Sequence, residues 1–167
     1  MTTLNTTRRK FLEWGWKVGG TLLGVAAGWT VFESLRPLAG AATTGAIKLG
    51  DPAAYATGTS TYVSNGRFYV TNPGDTLFAL AQKCPHLGCR IPFCDSSGRF
   101  ECACHGSVFD LGGEWVQGPA PRGMDRYAVS IVDSQVIVET SVLITGPDHG
   151  ASTYLTPPKG PSCLGNG

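Results

Sequence analysis

Cys84-Pro85-His86-Leu87-Gly88-Cys89 and Cys102-Ala103-Cys104-His105-Gly106-Ser107 hold four of the chain's 6 cysteines and two of its 3 histidines. Taken as metal ligands they read C-x-H, an interval of 15 residues, then C-x-x-H. Donors this close in sequence belong on loops, because a strand throws alternate side chains to opposite faces. Gly88 and Gly106 allow the tight backbone turns that aim such donors inward. Two loops of this kind at the tips of neighbouring hairpins can close on one site from opposite sides. Tetrahedral zinc is the generic occupant of Cys and His donors. Zinc ribbons favour C-x-x-C in both knuckles, however, and neither run has that spacing.

Outward from these runs the chain reads as short strands. Arg67–Thr71 and Thr76–Leu80 have strand composition and are bounded by Asn65-Gly66 and Asn72-Pro73-Gly74. Tyr127, Val129 and Ile131 alternate, and Val136 and Val138 resume the alternation after Asp133-Ser134, which predicts a hairpin with one buried face. No sustained 3.6-residue period follows residue 47, so an all-β domain is expected over 47–146. The tail, 147–167, is rich in proline and glycine and predicts loose order, with His149 a plain surface histidine.

The first 37 residues are different. Arg8-Arg9-Lys10 precedes Phe11–Phe32, which is apolar apart from Glu13 and Lys17. The charge-free part, Val18–Phe32, falls short of the ~20 residues that span a bilayer core. With Lys17 and Glu13 snorkelling, the longer stretch can span. Trp14, Trp16 and Trp29 sit near the two ends, where interfacial tryptophans are expected. These features predict a twin-arginine export signal kept as a membrane anchor over 1–37. Ala39-Gly40-Ala41 leaves open a cleaved signal and a soluble product. Small residues over 38–46 read as a flexible tether. The positive-inside rule keeps the N-terminus in the cytoplasm and puts the domain outside.

Bulk charge excludes one class of function. Lys and Arg number 13 against 12 Asp and Glu, a formal net charge of +1, which argues against nucleic-acid binding through a basic surface. Only 15% of residues are charged, below the ~25% usual for a soluble domain. At 42% hydrophobic residues the chain is no disordered polymer.

The two runs resemble, almost letter for letter, the two boxes of the Rieske iron–sulfur proteins, with weaker agreement along most of 60–145. The resemblance implies an antiparallel β-sandwich with a small cluster-binding subdomain, here about 80–123. It implies one [2Fe–2S] cluster, with Cys84 and Cys102 on one iron and His86 and His105 on the other. It also implies a Cys89–Cys104 disulfide, a pairing that separates quinol-oxidising Rieske subunits from soluble ferredoxins and suits an oxidising compartment. Leu87, Gly88 and Gly106 belong to the same cluster-binding loops. Ser107 matches a serine that bonds a cluster sulfide and raises the potential. Pro119, within Gly118-Pro119-Ala120-Pro121, matches a proline loop that covers the cluster. Phe109 stands where high-potential relatives have tyrosine, which implies a lower potential and favours menaquinol.

Neutral imidazole gives iron less negative charge than thiolate, so the potential rises, and each ring keeps a titratable nitrogen. By the resemblance, His105 takes the quinol's hydrogen bond and then its proton, with His86 second. The implied protein is the Rieske subunit of a bacterial quinol:cytochrome oxidoreductase, partnered by a cytochrome b-type membrane subunit and a c-type cytochrome. Two rivals stand beside it: a Rieske subunit of a periplasmic molybdenum oxidase such as arsenite oxidase, and a structural zinc module. Cys94 and Cys163 lie outside the family pattern, and either pair to pin the tail or stay free.

Overall fold

The computed structural model describes residues 8–35, 45–74, 76–150 and 156–165. The chain divides into two compact units, Met1–Ala41 and Ala42–Gly167. Ala39-Gly40-Ala41 and most of the expected tether lie outside the described residues.

The first unit is one helix, α1, Arg8–Leu35, of 28 residues. At ~1.5 Å per residue it is about 42 Å long, more than the ~30 Å of a bilayer core. None of its residues is buried, and Leu22, Leu23, Val25, Trp29 and Phe32 are all exposed. A helix this apolar without a protein partner suits lipid rather than water. Its length and composition are sufficient to cross a membrane. Glu13, one of the two charges inside the apolar stretch, pairs with Arg9 at 3.1 Å near the polar end.

The second unit is built from strands β1 (Ala46–Lys48), β2 (Thr59–Val63), β3 (Phe68–Asn72), β4 (Phe78–Ala81), β5 (Phe93–Cys94), β6 (Arg99–Glu101), β7 (Val108–Phe109), β8 (Trp115–Gln117), β9 (Arg126–Val132) and β10 (Gln135–Ile144). They form an antiparallel six-stranded sheet, β1-β10-β9-β4-β3-β2, and an antiparallel four-stranded sheet, β5-β6-β7-β8. The expected hairpin is present. Asp133 and Ser134 form its two-residue turn, both at positive φ (50° and 58°), the twist that suits flanking strands. Val136 and Val138 are buried, whereas Ile131, expected on the same inner face, is largely exposed near the hairpin's tip.

Central strands β3 and β4 are buried on both faces, and the period of two sorts their side chains. Phe68, Val70 and Ala79 join Ile47, Val136 and Val138 in one apolar cluster. Tyr69 and Leu80 point the other way and join Ile91, Phe100, Phe109 and Met124, together with Cys84 and Cys102. The second cluster couples the large sheet to the small one and forms the floor on which the two Cys/His loops rest.

The tail is not loose where it is described. Cys94 and Cys163 form a disulfide across a sequence separation of 69. Beside it, the buried Glu101 carboxylate accepts hydrogen bonds from Ser97 Oγ, Ser162 Oγ and the backbone N–H groups of Cys163 and Leu164. Lys159 Nζ donates to Gly58 O, and its backbone N–H donates to Ser97 O. Proline and glycine content misled here because long-range bonds, which composition does not encode, fix the segment. Residues 151–155 lie outside the described part.

Burial pushes the Glu101 carboxyl up, but its four hydrogen bonds outweigh burial and hold it below the usual glutamate range. Its stabilisation is therefore complete above the ordinary value of ~4.3 and is lost as pH falls through the lower folded value. Glu101→Gln should flatten the acid limb of thermal stability against pH, measured by circular dichroism. Replacing Cys94 and Cys163 together by serine should cost about 2–4 kcal/mol. Denaturant unfolding of the intact and doubly substituted proteins measures that loss.

Candidate metal centre

The two Cys/His runs fold into the same backbone loop. In the first, Cys84 N–H donates to Cys89 O at 2.7 Å and Gly88 N–H to Cys84 O at 2.9 Å. In the second, Cys102 N–H donates to Ser107 O at 2.8 Å and Gly106 N–H to Cys102 O at 3.0 Å. The loops are closed at their necks by the Lys83–Arg90 bridge and the Glu101–Val108 pair of β6 and β7. Gly88 (φ 77°) and Gly106 (φ 74°) occupy the fifth place of each loop, in the left-handed region where a Cβ is costly.

This equivalence decides which residues meet. Cys84 matches Cys102, Cys89 matches Ser107, and Cys104 takes the place that His86 has in the first loop. Cys89 and Cys104 are joined in a disulfide that ties one loop to the other. The rings of His86 and His105 face each other edge to face, with centroids 4.9 Å apart. His105 is exposed and His86 half-buried. Cys84 and Cys102 lie beneath them, buried and not bridged.

Burial pushes the Cys84 thiol up; the Cys102 thiol beside it adds to the rise, and N–H groups of His86 and Leu87 pointing at its sulfur oppose it. Burial here thus disfavours a Cys84 thiolate that has no compensating cation. A metal centre supplies that cation, and the donor set of two buried sulfurs and two outward imidazoles suits it. The Cys102 sulfur lies within 4.8 Å of both disulfide sulfurs, but bridged sulfurs are not available as ligands.

Around this centre the other expected residues take distinct places. Ser107 is buried, and its Oγ accepts a hydrogen bond from Ala120 N–H at 3.1 Å, which leaves the hydroxyl hydrogen free to donate elsewhere. Phe109 is fully buried in the cluster that contains Cys84 and Cys102. Leu87 is 70% exposed beside His86, and Pro119 is exposed on the following loop. Gly118 (φ 92°) packs against the second loop so closely that a Cβ there would lie 2.5 Å from Ser107 Cα.

Two participants escaped the sequence reading. Trp115 Nε1 donates to Gly118 O at 3.1 Å. His149 is exposed, as expected, but it also stacks on Trp115 with centroids 4.0 Å apart and bonds Ala120 O at 2.8 Å. Both brace the expected proline loop, in which the Ala120 N–H reaches Ser107. No spacing rule links positions 115, 120 and 149. Only the return of the chain past β10 brings them together.

Comparison with known proteins agrees with this geometry. The family description "Rieske [2Fe-2S] domain" matches residues 44–131. The cytochrome b6-f complex iron-sulfur subunit of Prochlorococcus marinus (strain MIT 9312) is 32% identical over 139 residues, covering 72% of this chain and 78% of the relative. The subunit of the same description from Chlorobaculum thiosulfatiphilum is 35% identical over 69 residues, covering 41% of this chain and 38% of the relative. Among solved structures, the cyanobacterial plasma membrane Rieske protein from Synechocystis PCC 6803 is similar at a TM-score of 0.44 and 26% identity, over 56% of this chain and 98% of that one. The [2Fe–2S] description sets aside the structural zinc module, and the chain belongs to the Rieske iron–sulfur family.

Proposed function

We propose that this Rieske protein is the membrane-anchored subunit of a quinol:cytochrome oxidoreductase that takes an electron and a proton from quinol and passes the electron to a cytochrome. Membership of the family makes it a one-electron carrier with a [2Fe–2S] cluster. The carrying observation for the finer reading is the exposed His105 facing His86 above two buried thiols, on loops locked by the Cys89–Cys104 disulfide.

In this reading Cys84 and Cys102 hold one iron, and His86 and His105 hold the other. When bound, the cluster supplies reversible one-electron chemistry. Exposed His105 offers its outward ring nitrogen to the quinol hydroxyl, accepts a hydrogen bond, and then holds the proton. His86, half-buried, is the second acceptor. Leu87 and Pro119, both exposed, add apolar surface that a quinol can meet. The Ser107 hydroxyl, held by Ala120 N–H, would donate to the bound cluster and favour its reduced state.

Helix α1 is the single-pass anchor in the bacterial cytoplasmic membrane, with Arg8, Arg9 and Lys10 on the cytoplasmic side and the head outside. The same arginines form the twin-arginine export signal. Residues 38–46 tether the head, so that it can move between a cytochrome b-type subunit and a c-type acceptor. Phe109 lacks the phenolic donor of a tyrosine, which favours menaquinol as the reductant.

Purification from native membranes tests the assignment. A Rieske-type rhombic paramagnetic signal together with a copurifying b-type cytochrome supports it, and a copurifying molybdopterin subunit overturns it. Phe109→Tyr should raise the midpoint potential, measured by voltammetry. A hydrogen bond worth about 1 kcal/mol more in the reduced state would add ~40 mV for one electron.

A further inference from the structure

The proline loop over the second Cys/His loop is held from behind by a stacked pair of side chains. Trp115 leaves β8 and turns its indole N–H onto Gly118 O. His149, 34 positions later in the chain, lies against that indole at an interplanar angle of 25° and reaches Ala120 O. A carbonyl only accepts, so Nε2 carries the proton in this contact. Two carbonyls of one short loop are thus fixed by two side chains that also fix each other.

Ala120 links this pair to the centre. Its C=O receives His149, and its N–H is given to Ser107 Oγ at 3.1 Å. With that N–H on one of its two lone pairs, the Ser107 hydroxyl has fewer directions left for its hydrogen. Gly118, with no space for a Cβ against Ser107 Cα and Gly106 O, prevents the loop from settling closer. Loss of the rear support therefore frees the Ala120 end of the loop and loosens the Ala120–Ser107 bond. None of these residues is among the Cys and His donors.

We propose that His149 is a positioning residue for the redox centre: braced on Trp115, it pins Ala120 and thereby fixes the direction in which the Ser107 hydroxyl donates. The proposal rests on the reading of Ser107 as a donor to the cluster. It adds a residue from the far end of the chain to the set that tunes the potential.

The test uses the full-length, cluster-loaded protein in detergent, with midpoint potentials read by voltammetry. His149→Ala should lower the midpoint while leaving the visible and paramagnetic spectra those of an intact cluster. His149→Gln, whose side-chain N–H can reach the same carbonyl, should recover most of the shift. In a Ser107→Ala background, His149→Ala should produce no further lowering. Amide exchange at Ala120 should quicken in His149→Ala. Should His149→Ala fail to load, His149→Phe keeps the stack on Trp115, removes the bond, and should show the same lowered midpoint.

An unchanged midpoint in the loaded variant, or full additivity with Ser107→Ala, overturns the proposal. If Ser107→Ala itself leaves the midpoint unmoved, the serine's role falls and this proposal falls with it. If Ser107→Ala lowers the midpoint and the His149 variants do not, only the His149 proposal falls.

Discussion

Two buried thiols, Cys84 and Cys102, sit side by side at the joint between the two sheets, and the head is arranged around that placement. Cys84 and Cys102 share their cluster with Ile91, Phe100, Phe109 and Met124, which exclude water from beneath them. The sulfurs cannot be rehydrated without opening the joint between the two sheets. The histidines lie nearer the surface, His105 exposed and His86 half-buried. Inner sulfurs and outer imidazoles thus follow from one gradient of burial across a pair of loops.

The gradient is held by repetition. One hydrogen-bond pattern builds both loops, and small differences in where cysteine and histidine fall within it produce the division of labour. At the third position of each loop, His86 in one is replaced by Cys104 in the other. The sixth position likewise exchanges Cys89 for Ser107. The disulfide joins a sixth position to a third position, so the loops pack as non-identical partners. That offset is what lets His86 and His105 meet edge to face.

Much of this was legible in the residues. The spacing of the Cys/His runs fixed their location on loops, and Gly88 and Gly106 marked the left-handed turns. Asp133-Ser134 marked the hairpin. Contacts that depend on the chain's return path were not legible. His149 carries no local signal for its stack on Trp115, and the tail's composition concealed the bonds that Glu101 makes to it. Ile131 shows a further limit: alternation gives the face of a strand but not how far the sheet extends to cover it. Cys94 and Cys163 were visible as leftovers, yet their pairing depended on Ser96, Ser97 and Glu101 receiving the tail.

The two disulfides interleave along the chain, in the order 89, 94, 104, 163. Each closes a ring, and the rings share the segment 94–104, which contains β6 and one of the two buried ligand candidates. A peptide bond cut between residues 105 and 162 leaves both fragments covalently joined through Cys94 and Cys163. A cut at an exposed turn such as Asp133-Ser134 therefore releases no piece of the head. This linkage separates damage to the backbone from loss of the redox centre.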